Sequence, residues 1–219
     1  MLAVITAIAR VVTMANVALP LTEARLAAAR TLFPEYVQEI PKIEQHFVDG
    51  GVVTVLHVVT GATFLALGLL QFSASIRSRH LRFHRRSGYL LVALAFSSGV
   101  TGLWLGVIDP YSSTERLPSA AAGAMFLISP VIAVVSVRRG EILRHHEWMI
   151  RFFAVGVGIV VIRLVGPVII WLLSPAPFRD IVGLTFGVGW LVSVTVGEVW
   201  IRLTRAERRG HALVAPMQA

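Results

Sequence analysis

Histidine, arginine and glutamate are the residues of this 219-residue chain whose types and spacing indicate chemistry. The chain contains no cysteine, which excludes disulfides, thiolate metal ligands and a cysteine nucleophile. Several ionisable residues lie inside long apolar stretches, where a charge is costly in a membrane and usually marks a site. The four within such stretches are Arg10, His57, Arg163 and Glu198.

His57 and Arg163 form the first candidate site. At about 1.5 Å per helical residue, the two lie at nearly the same depth on antiparallel helices. Both fall on rows of small residues at helical spacing, so both are expected to face the interior of a helix bundle. The pair predicts a cradle for an anion or a haem propionate, with His57 as a ligand or a proton relay. The alternative is a purely structural pair satisfied by backbone carbonyls and by Asp49 or Asp109.

A second candidate site gathers four histidines at one face of the membrane. Imidazole binds zinc, iron and copper, so the cluster predicts a metal centre, and the interleaved arginines alternatively predict contacts with anionic lipid headgroups. Two of the four begin neighbouring helices and are placed to share one haem b iron, and a quinone is the other cofactor considered. The cluster is His80, His84, His145 and His146, and the haem pair is His84 and His146.

Two further polar residues lie within the apolar stretches. Glu198 stands about one turn from the inner end of the last stretch, and its candidate partners are Arg10 and the cluster of arginines at the inner face. Such a pair either fixes helix packing or holds a group that accepts protons. Gln71 closes the row of small residues that begins at His57.

The elements that position these residues are membrane-spanning helices. The chain is 56% hydrophobic and only 15% charged, with a mean hydropathy of +0.75, which is too apolar for an ordinary soluble domain. Arg10 interrupts the first and shortest stretch, for which a signal peptide is the alternative. An all-α bundle of about six spans is predicted, at Leu2 to Leu19, Val52 to Ser73, Gly88 to Ile108, Ala120 to Val137, Trp148 to Leu173 and Ile181 to Ile201.

The charges between the stretches predict an orientation. With the amino terminus inside, thirteen arginines and three glutamates give the inner face a net charge of +10, and the outer face carries −3. Arginine and lysine concentrate on the cytoplasmic side of membrane proteins, so both termini are expected to be cytoplasmic. The overall charge of +8 therefore reflects topology, and no nucleic-acid partner is expected.

The connections divide the chain into four parts. The only long connection, residues 20–50, is expected to lie on the outer side as a lid, and the short loops elsewhere predict antiparallel neighbouring helices. The predicted division is a first span over residues 1–19, the lid over 20–50, a five-helix membrane core over 51–204 and a cytoplasmic tail over 205–219.

Three segments, LHVVTGATFLALGLLQF, RFHRRSGYLLV and RRGEILRHHEWMIRFFAVGVGIVVIRL, resemble the bacterial predicted membrane proteins called domain of unknown function 2306. The resemblance runs from about Val52 to Arg202. It implies a helical protein of the bacterial inner membrane whose activity is unassigned. By position, the polar motif residues it implies are His57, Gln71, His84, Arg85, Gly88, His146, Met149, Arg151, Arg163 and Glu198, whereas His46, His80 and His145 look like additions of this sequence.

These observations favour a membrane redox or cofactor-binding component, with haem b or a quinone, embedded in the lipid bilayer and acting with other membrane subunits. A small-solute or proton-coupled transporter is an alternative, and its broken helix would be the fifth span, at Gly156–Val157–Gly158 and Gly166–Pro167. A metal-dependent lipid-modifying enzyme at the four histidines is the third hypothesis. Whether the protein is catalytic stays open at this point.

Overall fold

The computed structural model describes residues 27, 30–31, 34–174 and 176–214. Within them the chain is helical. A 3-10 turn at Pro34–Tyr36 and a π-helical turn at Trp104–Ile108 accompany the α-helices, and a second 3-10 turn lies at Ser113–Glu115. The α-helices are α1 (Glu39–Asp49), α2 (Gly51–Gln71), α3 (Ala74–Arg79), α4 (Leu81–Leu103), α5 (Arg116–Arg138), α6 (Ile142–Leu173) and α7 (Phe178–Val214).

Five of these helices are long and apolar enough to cross a membrane, which confirms the predicted all-α membrane bundle. They are α2, α4 with its π turn, α5 with the preceding turn, α6, and α7 as far as Arg205. The predicted first span, residues 1–19 with Arg10, lies outside the described residues. Helix α7 continues to Val214, so the predicted tail begins as helix.

Consecutive spanning helices are neighbours in the bundle, as the short loops predict. Helix α2 packs on α4, α4 on α5, α5 on α6 and α6 on α7. Two further contacts, of α6 with α2 and of α7 with α5, close the arrangement.

Phenylalanines of three helices form the centre of the core. Phe64 of α2 lies 5.2 Å from Phe126 of α5 and 5.0 Å from Phe152 of α6, measured between ring centroids. Phenylalanine rings also pack against glycines, where no side chain is in the way. A Cβ on Gly156 would collide with Phe64, and a Cβ on Gly68 would collide with Phe153. Helices α2 and α6 therefore interlock, each placing a ring into the other's gap.

The bundle has two distinct ends. We call the end that carries α3 and the α5–α6 turn the arginine-rich end, and the opposite one, where α1 lies, the lid end. At the lid end Tyr36 donates a hydrogen bond of 2.7 Å to the carbonyl of Ala176, and its ring packs on Phe178 at 5.2 Å. The segment 34–50 thus lies against the loop before α7.

Candidate functional site

His57 is held by α4, the neighbouring helix. Its Nδ1 lies 2.9 Å from the carbonyl oxygen of Ser98, and its ring lies against Gly102, where a Cβ would approach His57 Cε1 to 2.9 Å. A ring nitrogen that donates to a backbone carbonyl leaves the other nitrogen as an acceptor, the usual state of a ligating histidine. His57 is therefore oriented towards α4 with Nε2 available.

Arg163 does not face the interior, contrary to the sequence-based expectation. Its side chain is exposed on α6, next to the buried Ile162. Ile162 instead occupies the gap at Gly189 of α7, where a Cβ would come within 2.9 Å of the Ile162 backbone. Arg163 is thus exposed where the sequence predicts burial, and its pairing with His57 stays a prediction.

The expected row of residues on α6 and the observed buried face share Phe152 and Gly166 and have the same average spacing. They differ in the order of the steps of three and four residues between those two positions. The observed face takes its shorter steps first, so it passes through Ile162 rather than the predicted Arg163. The buried face of α6 is Phe152, Val155, Gly158, Ile162 and Gly166.

At the arginine-rich end, His84 of α4 has a buried Nδ1 with no hydrogen-bond partner among the described residues. His84 lies within electrostatic reach of His145, Arg77 and Arg85. One turn further along α4, Ser87 accepts a hydrogen bond of 2.7 Å from Gln71 Nε2. The predicted polar residue Gln71 thus ties α2 to α4 directly beneath His84.

His145 and His146 begin α6 beside this histidine. The Nδ1 of His145 lies 2.9 Å from the carbonyl oxygen of Ala133, which fixes the ring against α5, and the two histidine rings are 6.0 Å apart between centroids. His80 is exposed at the junction of α3 and α4. Within the described part of the chain, no group of three or more histidine and acidic side chains is arranged to hold a metal ion. The four-histidine metal centre stays a prediction.

Glu198 of α7 pairs with Arg151 of α6, which confirms the expected pairing with the arginines at that end. Arg151 donates through Nε at 2.5 Å and through a terminal nitrogen at 3.0 Å. The same guanidinium lies 4.9 Å from the centre of the Trp148 ring. A second two-bonded ion pair joins Arg205 to Glu147 nearer the helix ends, so α6 and α7 are linked twice.

A cleft of about 640 Å³ opens at the lid end, and the sequence reasoning missed it. Its walls come from α1, from the loop after the π turn and from the start of α7. The polar and charged side chains that line it are Lys42, Gln45, His46, Asp49, Asp109, Tyr111 and Arg179. Asp49 and Asp109 were considered only as partners of the His57–Arg163 pair, and Lys42 and Arg179 only as topological charges. No spacing along the chain joins these residues.

Tyr111 is the structural centre of this cleft. It is 6% exposed, its hydroxyl donates a 2.9 Å hydrogen bond to Glu39, and the guanidinium of Arg179 lies 4.9 Å from its ring centre. Burial and the neighbouring Glu39 carboxylate raise the pKa of Tyr111 to about 12. Lys42 and the Tyr111 hydroxyl lower the pKa of Glu39, so a neutral phenol donates to a charged carboxylate.

A family model described as predicted membrane protein, DUF2306, matches residues 54–201, which is more than half of the chain. The chain belongs to this family. No curated protein and no solved structure matches it. The DUF2306 match includes His57, His84, His146 and Glu198, and it ends before the helical extension of α7. It begins after α1, so the α1 wall of the cleft lies outside the matched region.

Proposed function

We propose that this DUF2306 membrane protein is a redox component that binds haem b at its arginine-rich end, between α4 and α6. The observation that carries the proposal is the buried Nδ1 of His84, which has no partner among the described residues and lies near His145. Buried polar atoms without partners are rare and call for an explanation, and a missing bound group is one.

The residues around His84 fit a haem. Histidine side chains from two helices of a bundle commonly hold haem iron, and here His84 would be one ligand and His145 or His146 the other. The hydrogen bond from His145 to Ala133 leaves its Nε2 as an acceptor. Arg77 and Arg85 lie close enough to neutralise propionates. A bound haem supplies reversible one-electron transfer, which makes the protein an electron carrier of the bacterial cytoplasmic membrane.

The other two hypotheses have less support. Helix α6 runs without interruption through Gly166–Pro167, so the helix break expected of a transporter does not occur there. A metal-dependent lipid enzyme needs several ligands around its metal, and the described residues do not assemble three. Haem iron needs only two ligands from the protein.

An absorption spectrum of the purified protein tests the proposal. Protein from haem-supplemented cells is expected to show a Soret band that His84→Ala abolishes, and the variants His145→Ala and His146→Ala identify the second ligand. His46→Ala, at the lid end, is the control and should keep the band. A colourless but folded protein overturns the haem assignment. Extraction of a stoichiometric quinone from that sample would point to the other cofactor, and bound zinc or iron would point to the lipid enzyme.

A further inference from the structure

We infer that the lid-end cleft binds a small zwitterion, with its phosphate or carboxylate on Arg179 and its ammonium group on Asp109. This chemistry is shared by the headgroup of an ethanolamine phospholipid and by a free amino acid. The site is separate from the histidines at the opposite end of the bundle, so the inference does not rest on the proposed haem.

Arg179 is presented to the cleft as an anion-binding group. Its guanidinium is stacked on the Tyr111 ring, and Tyr111 is itself held by Glu39, so the cation is fixed on a buried platform. Arg179 lies within electrostatic reach of Glu39 but forms no ion pair with any acidic side chain that the structure describes. A planar guanidinium with unused donors binds phosphate and carboxylate groups through two parallel hydrogen bonds.

Asp109 provides the opposite charge on the same cleft. Its exposed carboxylate makes no hydrogen bond or ion pair with the described residues, while its backbone oxygen lies 3.0 Å from His46 Nε2. Asp49, which accepts from Gln45 at 2.8 Å, adds a second carboxylate to the lining. The described acidic and histidine residues do not form a metal-binding group of three, so the available carboxylates suit an ammonium ion better than a divalent cation.

The cleft lies at the level of the lipid headgroups. Asp109 directly follows the π turn that ends the α4 span, and Trp104 at the start of that turn is 51% exposed. Trp171, near the same end of α6, is 68% exposed. Exposed tryptophans near helix ends favour the membrane interface, which places the cleft where zwitterionic headgroups are abundant. Its volume of about 640 Å³ is in the range of small-molecule sites.

The first experiment measures binding of O-phosphoethanolamine to the full-length protein in detergent, by calorimetry and by the rise in Tm. Binding is expected to weaken about tenfold or more in Arg179→Gln and in Asp109→Asn, since each change removes a charge-assisted hydrogen bond. Arg179→Lys, which keeps the charge and loses the planar fork, should also bind more weakly. Arg116→Gln and Asp180→Asn are matched controls, because both residues are exposed at this end and neither lines the cleft.

The second experiment identifies the source of the zwitterion. Native mass spectrometry after incubation with equal amounts of phosphatidylethanolamine and phosphatidylglycerol should show retention of the ethanolamine lipid, lost in Asp109→Asn. Retention of glycine or glutamate without lipid would identify a free solute instead. If inorganic phosphate binds as well as O-phosphoethanolamine, or if the cleft variants bind like the controls, the inference is wrong. Circular dichroism reports whether each variant is folded, independently of the cleft.

Discussion

Two histidines of this DUF2306 protein are held in the same way by neighbouring helices. His57 and His145 each direct Nδ1 at a backbone carbonyl, of Ser98 and Ala133 respectively, at 2.9 Å. A carbonyl only accepts hydrogen bonds, so each ring must carry its proton on Nδ1. Both imidazoles are thereby set with Nε2 as the acceptor before any ligand arrives.

The fit of His57 against α4 predicts a selective effect of substituting Gly102. In Gly102→Ala the new Cβ would lie 2.9 Å from His57 Cε1, so the ring must shift, and the expected loss is about 1–3 kcal/mol of stability. Gly166→Ala is the matched control, because its nearest neighbour would be Thr185 Cγ2 at 3.9 Å. Thermal unfolding in detergent measures both variants. Equal Tm values for the two would contradict this description of the His57 packing.

The phenol of Tyr111 is expected to ionise at a higher pH than an ordinary tyrosine. Its pKa in the folded protein is about 12, against an ordinary value of 10.0. Folding therefore favours the protonated phenol, and this contribution to stability is complete below pH 10 and is lost as the pH rises through 12. Absorbance at the tyrosinate band should show one tyrosine ionising late. Tyr111→Phe should remove this step, whereas Tyr89→Phe should leave it in place.

The ion pair between Arg151 of α6 and Glu198 of α7 is predicted to contribute to the stability of the folded protein. Arg151 and Glu198 are 18% and 33% exposed, so loss of one partner strands a partly buried charge. Glu198→Gln is expected to lower stability by about 1–3 kcal/mol after allowance for partial solvent screening. Restoration of most of that loss in the double variant Arg151→Met with Glu198→Gln would show coupling.

The exposed pair Glu141 and Arg144 provides the control for this prediction. Arg144 is 55% exposed and Glu141 38%, and such pairs contribute little. Arg144→Ala should therefore leave Tm nearly unchanged. A larger loss in Arg144→Ala than in Glu198→Gln, measured by thermal unfolding, would reverse the assignment.

The five spans could be predicted from sequence because apolar length alone decides them, but their ends could not. Helix α4 begins at Leu81 rather than Gly88, and α6 at Ile142 rather than Trp148. Arginine and histidine end an apolar stretch of sequence, but they do not end a helix, since charged residues are ordinary helix formers in water. The exposure of Arg163 was missed for a different reason. Steps of three and of four residues both stay on one helix face, and the sequence does not show in which order they occur between Phe152 and Gly166.

Cysteines introduced at the two ends of the bundle are expected to be accessible from opposite sides of the membrane. Ser113 and Ser78 are exposed at the lid end and the arginine-rich end, and the chain has no cysteine of its own. The arginine-rich end is expected to be cytoplasmic. An impermeant thiol reagent on intact cells should therefore label Ser113→Cys and spare Ser78→Cys. Labelling of Ser78→Cys alone would invert the orientation, and labelling of both would contradict the bundle.

The cleft shows what only the folded chain reveals. Lys42, Tyr111 and Arg179 come from three separate parts of the sequence. The charges around each of them are already explained by the orientation of the protein in the membrane, so the sequence gives no reason to group them. Their meeting depends on where α1 lies, and α1 is a short helix whose position is set by contacts with loops rather than by apolar length. By contrast, the pairing of Glu198 was predictable because a carboxylate within a span needs a partner.

The interlocked rings of α2 and α6 limit how this bundle can move. Phe64 fills the gap at Gly156, and Phe153 fills the gap at Gly68, so each helix blocks the other in both directions along its axis. A piston stroke of α2 against α6 would require both rings to leave their gaps at once and to jump a full turn, about 5.4 Å. Relative motion of α2 and α6 is therefore expected to be tilting or rotation about these two rings rather than sliding.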